Sequence, residues 1–171
     1  MQTADFLLTT YDNMLGSLDG WLAKAESHPR GDALLKERLA ADMFPLAQQV
    51  RFVCNLPGET LARLTGKPFA SSDRDDGTLA EARSRIARTR EQVGEWRGAK
   101  VQADHESVEL TLPIGMTFDL DTAAYVRDWA LPQFYFHLVT AYAILRAAGV
   151  PLGKADYVGY MVRYLRQPPP A

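Results

Sequence analysis

The run Phe134-Tyr135-Phe136-His137-Leu138-Val139-Thr140-Ala141-Tyr142-Ala143-Ile144-Leu145 restricts the fold more than any other part of the chain. Read as a helix it is apolar nearly all round, so it needs neighbours on almost every side. That points to the most buried helix of a bundle. Asp121 offers a cap before it, and Gly149 with Pro151 stops it, which places the helix over residues 122–148 with a bend at Pro132. The apolar stretch 129–145 is interrupted by Pro132, Gln133, His137 and Thr140. It also falls short of the roughly 20 residues of a membrane span, so a buried helix is expected and no membrane contact.

Three more helices follow from the spacing of apolar residues. Phe6, Leu7, Tyr11, Met14, Leu15, Leu18 and Leu22 make one stripe over residues 3–27, ended by His28-Pro29-Arg30-Gly31-Asp32. Gly16 and Gly20 either weaken that helix or let a neighbour come close. A short helical turn is expected over 33–39. The second helix is read from Asp42, taken as its cap, through Leu46, Val50, Val53, Leu61 and Leu64 to Gly66, with a kink at Pro57-Gly58. Residues 67–77 read as a polar loop. Thr78-Leu79-Ala80-Glu81 is a capping-box pattern that opens a third helix with Leu79, Ala82, Ile86, Val93 and Trp96 inward. The arginines of that helix, Arg83, Arg85, Arg88 and Arg90, share it with Glu81, Glu91 and Glu95, which predicts a solvated charged face rather than a phosphate patch.

Between the third and last long helices the period changes to two. Val108, Leu110 and Leu112 alternate with polar residues, as do Met116, Phe118 and Leu120, with Pro113 and Gly115 between them, which predicts a β-hairpin. A short final helix is expected over 154–165 and a disordered tail over 166–171. The fold class is therefore all-α in the main: a four-helix bundle in one domain, residues 1–165, with a small hairpin let into it.

A length of 171 residues suits one domain with its own core. The net charge of −2 gives no field that favours nucleic acid or an anionic membrane. Cys54 is the sole cysteine, so no disulfide forms within the chain. It reads as a small core residue. The first residues have neither the charged start nor the apolar run of a signal peptide, and the expected location is cytoplasmic.

No phosphate loop, dinucleotide fingerprint, CxxC or HExxH is present. His28 and His105 fall in polar connections and read as exposed. His137 lies in the most apolar segment, where a titratable ring must find partners. It is either a core histidine bonded to a neighbour or a ligand-contacting group between helices. Gln133, four residues before it, and Thr140, three after, share its face, and Tyr142 adds another polar atom.

Two stretches carry a family resemblance: Asp42-Met43-Phe44-Pro45-Leu46, and Phe134 to Lys154 with its FYFH, TAYAILR and GVPLGK segments. Together they resemble an uncharacterised bacterial family of unknown function that is similar to the DinB/YfiT-like superfamily of metalloenzymes. The resemblance implies a four-helix bundle and a homodimer. It also implies a nickel or zinc ion among three histidines, one from the second helix and two from an HxxxH on the last, and in some members a thiol-dependent transferase activity. Here His137 matches the second histidine of that HxxxH and Gln133 the first. The second helix has no histidine, only Gln48 and Gln49, either of which is able to face inward. One imidazole with neutral amides is a poor zinc or nickel site, so neither metal nor other cofactor is expected.

The leading expectation is a metal-free small-molecule pocket built from His137, Gln133, Tyr142 and Gln49, with Trp129 and Tyr11 as walls. Two other functions stay open: an enzyme using His137 as a general base or a weak metal ligand, and an interaction protein acting through its dimer surface.

Overall fold

The computed structural model describes residues 3–112 and 114–166. Helix α1 (Thr3–Glu26) is followed by a 3₁₀ turn (Gly31–Lys36), α2 (Leu46–Thr65) and α3 (Leu79–Glu95). Strands β1 (Ser107–Thr111) and β2 (Thr117–Asp121) come next. Helix α4 begins with Thr122–Ala124, widens into a π turn over Tyr125–Ala130 and runs on as α-helix over Leu131–Ala147. A single turn, α5 (Lys154–Tyr157), and a 3₁₀ segment (Gly159–Tyr164) complete the described chain. Helix α1 packs mainly on α3, and α2 packs on both α3 and α4, which gives the expected four-helix bundle. The buried apolar side chains form one cluster that draws on all four long helices. No helix among the described residues is long and apolar enough to cross a membrane. The expected tail lies outside the described residues except for Arg166.

The buried stripe of α1 is Leu7, Leu8, Tyr11, Met14, Leu15, Leu18, Trp21, Leu22 and Ala25. Phe6, expected in it, is 42% exposed, and Leu8 and Trp21 take the inward positions instead. Helix α2 starts at Leu46 and not at Asp42. Proline's ring disfavours helical geometry at the residue before it, so Phe44 cannot continue a helix into Pro45. Pro45 itself is extended (φ −71°, ψ 166°), and Asp42 lies exposed in the preceding turn. The Leu46 N–H is satisfied by the Glu37 carbonyl at 2.8 Å. The predicted kink at Pro57-Gly58 does not break α2, which runs through both residues. Gly58 has a packing role: a Cβ there would stand 2.2 Å from the Phe69 ring. Gly66, in the left-handed region at φ 69°, caps the helix as read from the sequence.

At the start of α3 the Thr78 hydroxyl accepts the Glu81 N–H at 3.1 Å, and the Glu81 carboxylate accepts the Gly77 N–H at 2.8 Å. The arginine-rich face is not simply solvated. Arg83 bonds Asp19 and Glu26 on α1, each at 2.8 Å, and Arg90 bonds Asp12 at 2.9 Å. The acids recur every seven residues on α1 and the two arginines are seven apart on α3, so the antiparallel helices meet in register along one edge.

The hairpin pairs Ser107 with Asp121 through to Thr111 with Thr117. Val108 and Leu110 bury its inner face, and Asp121 caps α4 by accepting the Ala124 N–H. The bend expected at Pro132 takes the form of the π turn just before it, in keeping with the N–H that proline lacks. The C-terminal segment is tied to α1. The Trp21 indole N–H donates to the Asp156 carbonyl at 3.0 Å, the Ser17 hydroxyl to the Tyr157 carbonyl at 3.0 Å, and Lys24 pairs with Asp156 at 2.7 Å.

Candidate functional site around His137

Helices α2 and α4 are packed side by side, and that contact brings Gln49 to His137. His137 Nδ1 lies 2.8 Å from Gln49 Oε1. The Gln49 side chain is almost fully buried (1% exposed) and its Nε2 donates to the Phe44 carbonyl at 3.1 Å. A carbonyl only accepts, so the amide nitrogen must face Phe44 and the amide oxygen must face the ring. An amide oxygen also only accepts, so the proton sits on His137 Nδ1. The chain Phe44 C=O, Gln49, His137 thus fixes one tautomer and leaves the Nε2 lone pair without a hydrogen-bond partner among the described residues.

Burial lowers the His137 pKa from its ordinary 6.5 to about 4, because the charged ring loses water and gains no opposite charge. At neutral pH the imidazole is uncharged. Aromatic rings surround it: Phe52 at 4.6 Å and Phe136 at 5.2 Å between ring centroids, with Phe44 edge-on to Phe52 at 5.3 Å. Phe44 is 53% exposed and Phe136 59% exposed. The setting is therefore a polar pair under an open aromatic rim. His137 is half-buried rather than enclosed, and α4 is not covered on every side, since Val139 is 45% exposed as well. The reason is that α2 and α1 cover only part of its circumference.

Of the residues expected to join His137, the structure brings Gln49 to it directly and settles which glutamine of α2 faces inward, Gln48 being only half-buried. Gln133 is half-buried one helical turn before His137. Thr140 spends its hydroxyl on the Phe136 carbonyl at 2.6 Å. Tyr11 is fully buried, donating to Thr60 at 3.2 Å and packing edge-on to Phe134. Tyr142 belongs to a separate aromatic group with Trp21 and Tyr157. Trp129 is half-buried at the π turn and packs against the edge of the core. The aromatic rim was missed by sequence reasoning, although Phe52 stands three residues after Gln49 and so shares its side of α2.

A family model described as "Domain of unknown function (DUF1993)" matches residues 5–158. The chain belongs to the DUF1993 family. A solved structure similar to this DUF1993 chain is a DinB family member protein from Shewanella denitrificans. The two are 31% identical with a TM-score of 0.78, and the match covers 99% of this chain and 100% of that one. No curated protein matches the sequence. The fold is thus DinB-like, as the resemblance implied. The metal site that went with that resemblance does not fit the residues of this DUF1993 chain. Where the resemblance sets its three histidines, this chain has His137 with the neutral amides of Gln133 and Gln49, and Gln49 Oε1 already accepts the His137 N–H. Among the described residues no group of three or more His, Cys, Asp or Glu is placed to hold a metal ion. Cys54 is buried on α2 with its thiol pushed up to about 12 by burial, so it offers no thiolate at neutral pH.

Proposed function

We propose that the His137–Gln49 pair is the polar centre of a metal-free small-molecule site. The observation that carries this reading is the bond chain from the Phe44 carbonyl through Gln49 to His137. It holds a neutral ring with Nε2 ready to accept a hydrogen bond, while Phe44, Phe52 and Phe136 offer apolar contact and Gln133 a neighbouring amide. A ligand suited to it is neutral, carries one N–H or O–H donor, and has an apolar body. A general-base role is disfavoured by the same numbers. A base with a pKa about 4 has little drive to take a proton at neutral pH, where the best catalytic bases titrate near the working pH.

Elemental analysis of untagged protein is expected to give far less than one zinc or nickel per chain. About one per chain would contradict the reading. The ligand itself is sought by native mass spectrometry of freshly purified protein: a bound small molecule lost in His137→Leu, with the fold retained, supports the site. Equal retention by both proteins refutes it.

A second reading rests on a separate observation. Phe136 and Val139 are exposed one turn apart on α4, with exposed Phe44 beside them through the Phe52 ring. We propose that this apolar face is where two copies associate, in line with the homodimer implied by the resemblance. Light scattering is expected to give a dimer at micromolar concentration that Phe136→Glu converts to monomer. A monomer in the unaltered protein would rule it out.

A further inference from the structure

A cleft of about 440 Å³ lies on the far side of α1, walled by α3 and by the C-terminal segment. Its volume falls within the range of small-molecule sites. The floor is made by Gly16 and Gly20, the two glycines of α1 that the helical pattern alone leaves unexplained. At Gly20 an added Cβ would meet nothing within 4 Å, so this glycine opens space instead of admitting another helix. Over Gly16 lies the guanidinium of Arg90, with both terminal nitrogens 3.7 Å from where a Cβ would stand. The ion pair of Arg90 with Asp12 is made through Nε, so the terminal nitrogens overhang the cleft. From the opposite wall comes Arg163, held by the Tyr160 carbonyl and by Asn13, with its guanidinium lying over the Tyr160 ring at 5.7 Å. Tyr160, half-buried, adds ring surface, while Trp21 is buried beneath the cleft with its indole N–H on the Asp156 carbonyl.

Lys24 also lines this cleft, but it is paired with Asp156 and contributes little net charge. The remaining balance is two arginines against Asp12. Two planar guanidinium groups on facing walls suit a planar anion, which each can meet with charge-assisted hydrogen bonds. The ring surface between them suits an apolar or aromatic body. We propose that this cleft binds a small aromatic carboxylate, its carboxylate held between Arg90 and Arg163 and its ring lying over the glycine floor against Tyr160.

The test is a titration of the ¹⁵N-labelled full chain with benzoate, with benzyl alcohol as the neutral probe of the same ring. The expected result is a saturable shift of the Gly16, Gly20 and Gly159 amides and of the Trp21 indole N–H. Arg90→Gln and Arg163→Gln are each expected to weaken benzoate about tenfold or more, since each removes a charge-assisted contact. Gly20→Leu keeps both charges, fills the floor and is expected to abolish binding. It sits at an exposed helix position that accepts leucine readily, so it serves even where an arginine variant proves unstable. The proposal is overturned by any of four results: no saturable shift with benzoate, shifts centred elsewhere, benzyl alcohol binding as well as benzoate, or Gly20→Leu binding benzoate unchanged.

Discussion

Trp21→Ala is expected to cost about 3–5 kcal/mol of stability, the range for removing a large buried aromatic side chain. Trp21 is 1% exposed and does three things at once. It stacks on Tyr157 at 5.6 Å with 18° between the planes, meets Tyr142 edge-on at 5.1 Å, and donates its indole N–H to the Asp156 carbonyl. Truncation leaves a cavity between α1 and α4 and strands that carbonyl. The loss is read from the urea midpoint. Its local part is read from amide exchange over residues 154–164, which should speed up more than exchange in α2. A cost below about 1 kcal/mol, as for a surface change, would show that the C-terminal segment does not depend on this anchor.

The second large effect is a pH dependence. His137 titrates at about 4 in the folded chain and near its ordinary 6.5 when unfolded. Above about pH 6.5 the ring is neutral in both states and costs nothing. As the pH falls from 6.5 towards 4 the unfolded chain takes up a proton that the folded chain refuses, so stability declines across that window and the decline from this group ends below it. Because the ring is only half-buried and keeps some of its water, the size is well below that of a fully buried group, about 1–2 kcal/mol. His137→Leu removes the group and should flatten this part of the curve, so the difference between the two proteins isolates it from the carboxylates. Identical slopes would mean that the ring is not desolvated.

Much of the fold was legible because local rules and the global packing agree. Thr78 and Glu81 predicted the start of α3, Gly66 the end of α2, and the switch to a period of two predicted the hairpin. The misreadings have local causes. Asp42 looked like a cap, but the restriction that Pro45 places on Phe44 moves the helix start to Leu46. The arginines of α3 were read one helix at a time, and the spacing of Asp12, Asp19 and Glu26 against Arg83 and Arg90 acquires meaning only when α1 and α3 are set antiparallel.

Less of the surroundings of His137 was legible. Helical spacing puts Gln133 and Thr140 on its side of α4, but the Thr140 hydroxyl turns to the Phe136 carbonyl. Spacing along one helix cannot choose between Gln48 and Gln49, since that depends on how α2 is rotated against α4. Nor can it say that Tyr142, five residues after His137, turns toward Trp21 and Tyr157 instead. The aromatic rim needs Phe44 and Phe52 from the second helix region and Phe136 from the fourth, a meeting that only the packed bundle defines.

At neutral pH His137 is uncharged, its tautomer is set by Gln49, and Nε2 has no hydrogen-bond partner among the described residues. Nitrogen-15 NMR of the imidazole ring reports on this directly. A proton on Nδ1 and an unprotonated Nε2 are expected at neutral pH, with the ring charging only near pH 4. A proton on Nε2, or a ring already charged at neutral pH, would contradict this assignment.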